Sequence, residues 1–119
     1  MKAQRVITYV FAGIPTANYA SALPWYGRLF GRPPDMLPQD EEAAWELTDT
    51  GWIYLVADAD RAGKALLTLL VENLDKQIDD LAERGLAPDE TETLSNAGRK
   101  AAFVDPDGNK ITFAQPGSA

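Results

Sequence analysis

The feature that most constrains this chain is a repeated order of elements: an apolar β-like run, a helix-periodic stretch, then further short apolar runs, twice over. In the first half Val6, Thr8, Val10 and Ala12 alternate with Ile7, Tyr9 and Phe11, so a strand over 6–12 with two occupied faces is expected. Tyr19, Ala22, Leu23, Tyr26, Leu29 and Phe30 then recur at three- and four-residue spacings, predicting an amphipathic helix capped by Asn18 and closed by Gly31. Pro24 removes a backbone donor inside that helix and should kink it or move its start. Pro33-Pro34 stops any continuation. Short strands are expected at 36–37 and 43–48, and Asp49-Thr50-Gly51 turns the chain into a stronger strand at 52–57.

After a polar link at 58–64 the order begins again. A strand is expected at 65–71, and Asn73 caps a second helix whose apolar stripe is Leu74, Ile78 and Leu81 and whose end is Gly85. Weaker strand patterns lie at 92–94 and 100–104, followed by 110–115. The repeat is one of element order and not of residues. In the last connection, Pro106 presets the first central position of a type I turn, Asp107 suits the second, and Gly108 can take the left-handed conformation that returns the chain.

Composition narrows the chemistry. The 119 residues suit one domain, with halves at about 5–58 and 65–115, and 45% hydrophobic residues suffice for a core. Eleven basic against 18 acidic residues give a net charge of −7. That field repels phosphate backbones and anionic headgroups, so no nucleic acid and no membrane partner is expected, while a cationic small ligand would be attracted. Zero cysteines exclude disulfides and thiolate chemistry but assign no compartment; zero histidines remove the usual neutral-pH base and the commonest metal ligand. Lys2 and Arg5 before an apolar stretch, with Ala20-Ser21-Ala22 after it, mimic a signal peptide. Thr8 and Tyr9 interrupt the apolar run, which reads better as the first strand of a cytoplasmic protein, and no run approaches the ~20 residues that span a bilayer.

Three segments in order carry a family resemblance. Tyr19–Phe30 with its Trp25-Tyr26 pair and the following Gly31-Arg32-Pro33-Pro34-Asp35, then Leu69-Leu70-Val71-Glu72-Asn73-Leu74-Asp75, and finally Asp105 to Phe113, together resemble the glyoxalase / bleomycin-resistance / extradiol-dioxygenase (vicinal oxygen chelate, VOC) superfamily. Asn18 stands where that family usually has Asp. The resemblance implies an α+β fold of two βαβββ modules, a curved and mostly antiparallel eight-stranded sheet around a cleft, and a homodimer.

The same resemblance implies metal ligands on the first, fourth, fifth and eighth strands. Carried onto this chain, those positions fall at Phe11, Tyr54, Leu66 and Thr112. None is an ordinary ligand of a catalytic divalent ion, and no register slip can bring in a histidine. The expectation is therefore no metal and no cofactor. Strand alternation adds Tyr9, Trp52, Thr68 and Leu70 to that cleft face and puts Val10, Ile53, Leu55, Leu67, Leu69, Val71, Ile111 and Phe113 on the other.

An aromatic face with scattered hydroxyls suits a flat organic ligand, here a candidate set of Tyr9, Phe11, Trp52, Tyr54, Leu66, Thr68 and Thr112. Catalysis has little support: Ser21, Ser95 and Ser118 lack a histidine partner, and nothing chooses among Glu46, Glu72 and Glu92 as bases. Arg99 and Lys100 are expected as exposed charges on an edge strand. The expected function is metal-independent sequestration of an aromatic, cationic small molecule in a dimer cleft. The alternatives are a metal-independent lyase or isomerase of that superfamily, and a structural or regulatory dimer module with a filled cleft.

Overall fold

The computed structural model describes residues 6–117. Lys2 and Arg5, on which the signal-like pattern depends, and Ser118 lie outside the described residues. The element order is β1 (Val10–Thr16), α1 (Tyr19–Phe30), β2 (Glu42–Thr48), β3 (Gly51–Ala57), β4 (Leu66–Leu70), α2 (Leu74–Glu83), β5 (Glu90–Thr93), β6 (Arg99–Val104) and β7 (Lys110–Gln115). The fold is α+β, as expected, with the first three strands in one sheet, ordered β1-β3-β2, and the last four in another, ordered β4-β7-β6-β5. The first half runs βαββ and the second βαβββ, each with its first and last strands parallel. In the first half the expected strand at 36–37 is reduced to one bridge, Met36 with Ala44, because prolines at 33, 34 and 38 withhold backbone donors around it. The described residues thus form seven strands in two sheets rather than eight in one.

The helices form where their caps say. Asn18 accepts from the Ser21 N–H at 3.2 Å and Asn73 from the Lys76 N–H at 3.0 Å, satisfying N-terminal donors. Gly31 closes α1 at φ 74°, its N–H returning to the Gly27 carbonyl. Pro24 neither breaks α1 nor moves its start. Its missing N–H orphans only the Ala20 carbonyl, on an exposed turn open to solvent.

The first strand starts later than its pattern suggests. Val10–Thr16 pairs residue by residue with Gly51–Ala57, so residues 6–9 run past the end of β3 and find no partner there. Val10 is 63% exposed and not on the packed face, because the covered part of β1 begins at Ala12. The other assigned core positions hold: Ile53, Leu55, Ile111 and Phe113 are buried, and Leu67, Leu69 and Val71 pack against them. Ile14, Tyr26, Trp45, Leu74, Leu81 and Phe103 join the same cluster, so the two halves share one core.

The last hairpin ties the halves together. Asp105 is 4% exposed, and its Oδ1 accepts from the N–H groups of Asp107, Gly108 and Asn109, each at 2.9 Å. Its Oδ2 accepts from the Tyr26 hydroxyl at 2.6 Å and the Asn109 amide at 2.9 Å. Asn109 also donates to the Pro15 carbonyl and accepts from the Ala65 N–H. Asp107 accepts from the Thr16 hydroxyl and the Ala17 N–H. Burial, and then the Asp105 carboxylate, push the Tyr26 phenol far above its ordinary pKa, so it remains a donor.

Candidate functional site

Pairing in the first sheet sets three rows across one face: Phe11, Trp52 and Glu46; Gly13, Tyr54 and Ala44; Pro15, Val56 and Glu42. The opposite face carries Ile14, Leu55, Ala43, Ile53 and Trp45 and is covered by α1. Phe11 and Trp52 stack with ring centroids 5.6 Å apart and planes 19° from parallel. That spacing is too small for another ring to enter, so the pair offers an outer platform. Phe11 is 54% exposed, and Trp52 and Tyr54 are half-buried. Glu46 is exposed directly across from Trp52, while its neighbour Trp45 is fully buried, as strand alternation requires.

Tyr54 lies flat over β1 because its neighbour there is glycine. A Cβ added at Gly13 would stand 2.7 Å from both Cζ and the hydroxyl of Tyr54. Gly13→Ala is therefore expected to lift the ring off the strand. Since the ring can move, stability should fall by about 1 kcal/mol or less, while Tyr54 near-ultraviolet circular dichroism changes and ligand affinity drops severalfold.

The second sheet presents a different face. Leu66 stands beside Lys110 and Val104; Thr68 beside Thr112, Ala102 and Glu90; Leu70 beside Ala114, Lys100 and Glu92. Lys110 pairs with Glu90 at 2.9 Å and Lys100 with Glu92 at 3.5 Å. The hydrogen bond and charge of Lys110 hold the Glu90 carboxyl below the usual carboxylate range. A small polar hollow of about 80 Å³ opens among these groups and Thr112. Arg99 and Lys100 are not on an edge strand: β5 covers that side, and Arg99 turns to Asp75 at 2.9 Å.

The structure thus brings Phe11, Trp52 and Tyr54 together on one sheet, and Leu66, Thr68 and Thr112 together on the other. Among the described residues no strand of the first sheet pairs with a strand of the second. Tyr9, 53% exposed, lies just before β1 beside a hollow shared with Ile7, Thr8, Val10 and Thr50. Alternation along β5, β6 and β7 could have added Glu90, Lys100 and Lys110; their pairing depends on cross-strand register, which spacing does not give.

A divalent metal does not fit the four implied positions. Phe11 and Leu66 offer no donor atom, and the hydroxyls of Tyr54 and Thr112 sit on different sheets. Among the described residues no three His, Cys, Asp or Glu side chains gather closely enough to hold an ion. Nor is any described helix long and apolar enough to cross a membrane.

No protein-family model and no curated protein sequence matches the chain. Solved structures do. A glyoxalase / bleomycin resistance protein from Catenulispora acidiphila DSM 44928 is 37% identical, with a TM-score of 0.87, over 91% of this chain and 97% of that one. TnmS3, an antibiotic binding protein from Streptomyces sp. CB03234, is 27% identical with a TM-score of 0.69, over 98% of each chain. A bleomycin-binding protein complexed with bleomycin shares the fold at 19% identity and a TM-score of 0.71, over 90% of this chain and 97% of that one. By fold, coverage and identity, this chain belongs to the glyoxalase / bleomycin-resistance family of the VOC superfamily.

Proposed function

We propose that the protein is a cytoplasmic, metal-independent binding protein that sequesters a flat aromatic, cationic small molecule in a cleft between two copies of the chain. The observation that carries this reading is the uncovered aromatic face of Phe11, Trp52 and Tyr54. Such a surface gives up water readily and rewards stacking. Glu42 and Glu46 stand on the same face, and the net charge of −7 adds a field that favours a cation. The family relatives named above as bleomycin-binding and antibiotic-binding proteins support an antibiotic-like ligand.

What each sheet leaves open supports a dimer. β1 and β4 each have one unpaired edge, and Phe11, Leu66 and Leu70 are 54%, 81% and 70% exposed beside those edges. Bringing the β1 edge of one copy against the β4 edge of its partner would pair both and join the aromatic face to the face of Thr68 and Thr112.

The test is thermal unfolding with bleomycin, a panel of planar aromatic cations and neutral aromatics, divalent metals and a chelator, alongside sedimentation analysis. A bound aromatic cation at a hundredfold excess over its dissociation constant should raise stability by about 2.7 kcal/mol in a dimeric protein. Melting indifferent to every compound overturns sequestration and favours a filled module. Stabilisation by Ni²⁺ or Zn²⁺ that chelator reverses overturns metal independence.

A further inference from the structure

A second cavity lies away from this face. The C-terminal end of α1, the middle and end of α2, and the ends of β2 and β4 enclose a groove of about 440 Å³. Leu29, Phe30, Leu47, Leu69, Val71 and Phe113 give it an apolar part, and the rest of its lining is polar. Phe11, Trp52, Tyr54, Leu66, Thr68 and Thr112 line none of it. The volume lies within the roughly 300–1,000 Å³ of small-ligand pockets, and one chain builds the groove, so it does not depend on a partner.

The polar groups at its rim are unevenly engaged. Arg32 is held by Asp35 at 2.8 Å, and Asp80 by Lys76 at 3.0 Å. Glu46, across from Trp52, also reaches the groove's rim at the end of β2. Arg84 is different. Its Nε donates to the Arg28 carbonyl and its Nη2 to the Leu29 carbonyl, covering the orphan acceptors at the end of α1. These bonds pin the guanidinium over Gly31, where a Cβ would come within 3.1 Å of Nη1. Among the described residues Nη1 itself meets no acceptor, and neither does the side-chain amide of Gln77, on the same helix face one and two turns from Asp80 and Arg84.

A partly apolar groove whose rim holds Arg84, immobilised but with Nη1 unengaged, beside the neutral Gln77 amide is complementary to a small amphiphile with a single anionic head. We propose that this groove is a second small-molecule site. It takes a compact aryl or short alkyl carboxylate or sulfonate, its body against Leu47, Leu69, Val71 and Phe113 and its head on Arg84 Nη1 and Gln77. Its ligand differs in sign from that of the aromatic face.

Anilinonaphthalene sulfonate is a suitable probe, titrated by fluorescence into the native full chain well below its melting temperature and followed in parallel by methyl NMR. The expected result is saturable binding of one probe per chain with shifts centred on Leu47, Leu69 and Val71. Gln77→Trp should plug the groove and weaken binding at least tenfold, and Thr48→Trp, on the exposed rim, serves the same purpose should the first variant fold poorly. Trp52→Ala should leave probe affinity unchanged, which separates this site from the aromatic face. Absence of saturable binding, loss of binding in Trp52→Ala, shifts centred on Leu66, or full affinity in both plugged variants would each overturn the proposal.

Discussion

Replacing Asp105 by alanine is expected to lower stability by at least about 3 kcal/mol and the melting temperature by roughly 10 °C. The carboxylate is 4% exposed and accepts from five donors: three backbone N–H groups, the Tyr26 hydroxyl and the Asn109 amide. Alanine leaves those donors facing a void, and each one orphaned in the interior costs about 1–3 kcal/mol. Asp105→Asn keeps the shape but turns an amide NH₂ towards neighbours that themselves donate, so an intermediate loss is expected. Tyr26→Phe removes a single donor and should cost only about 1 kcal/mol beyond the lost packing of its hydroxyl. Urea denaturation of the three variants at one protein concentration checks the order. A loss below 1 kcal/mol for Asp105→Ala would show that the hairpin does not hold the two halves together.

Trp52→Ala should have the opposite profile, with a large effect on binding and a small one on stability. Trp52 is half-buried on an uncovered face, whereas Trp45 in the neighbouring strand is fully buried and donates its indole N–H to the Arg32 carbonyl at 3.1 Å. Removing a central stacking residue from a ligand site commonly costs about 2 kcal/mol or more of binding, a fall in affinity of roughly thirtyfold or more. Its loss from the folded chain should cost about 1 kcal/mol. Trp45→Ala should instead cost about 3–5 kcal/mol, as buried aromatic deletions do. Calorimetric titration with whichever compound stabilises the wild type, set beside urea denaturation, measures both. If the two tryptophans destabilise equally and Trp52→Ala binds normally, the aromatic face is packing surface and not a binding wall.

Much of this architecture is legible in local chemistry. Asn18, Gly31 and Asn73 mark helix ends because caps act over three or four residues, and the faces of β3 and β7 follow from alternation alone. The start of β1 is not legible. Residues 6–9 have strand character, yet a strand exists only where a partner runs beside it, and β3 begins at Gly51. Gly13 and Pro15 look like an interruption, but an edge strand tolerates the proline and Tyr54 needs the glycine. At the candidate site, alternation puts Phe11, Trp52 and Tyr54 on one face of the first sheet and Leu66, Thr68 and Thr112 on one face of the second. Nothing in their spacing tells that the two trios belong to separate sheets. The lysine–glutamate pairs beside Thr112 are also hidden, since they depend on the register of three strands that meet only in the fold.

The hairpin of Asp105 and Asn109 has a consequence for how the chain comes to be folded during synthesis. Its partners Pro15, Thr16, Ala17 and Tyr26 lie 79 to 94 residues earlier. A ribosome adding roughly 5–20 residues per second would expose the first half for several seconds before those carboxylates arrive. Through that interval the Thr16 hydroxyl at the end of β1 and the Tyr26 phenol of α1 lack the carboxylates that accept from them in the folded chain. Closing so long a loop is a non-local step, so these bonds between the ends of the chain are expected to be among the last to form.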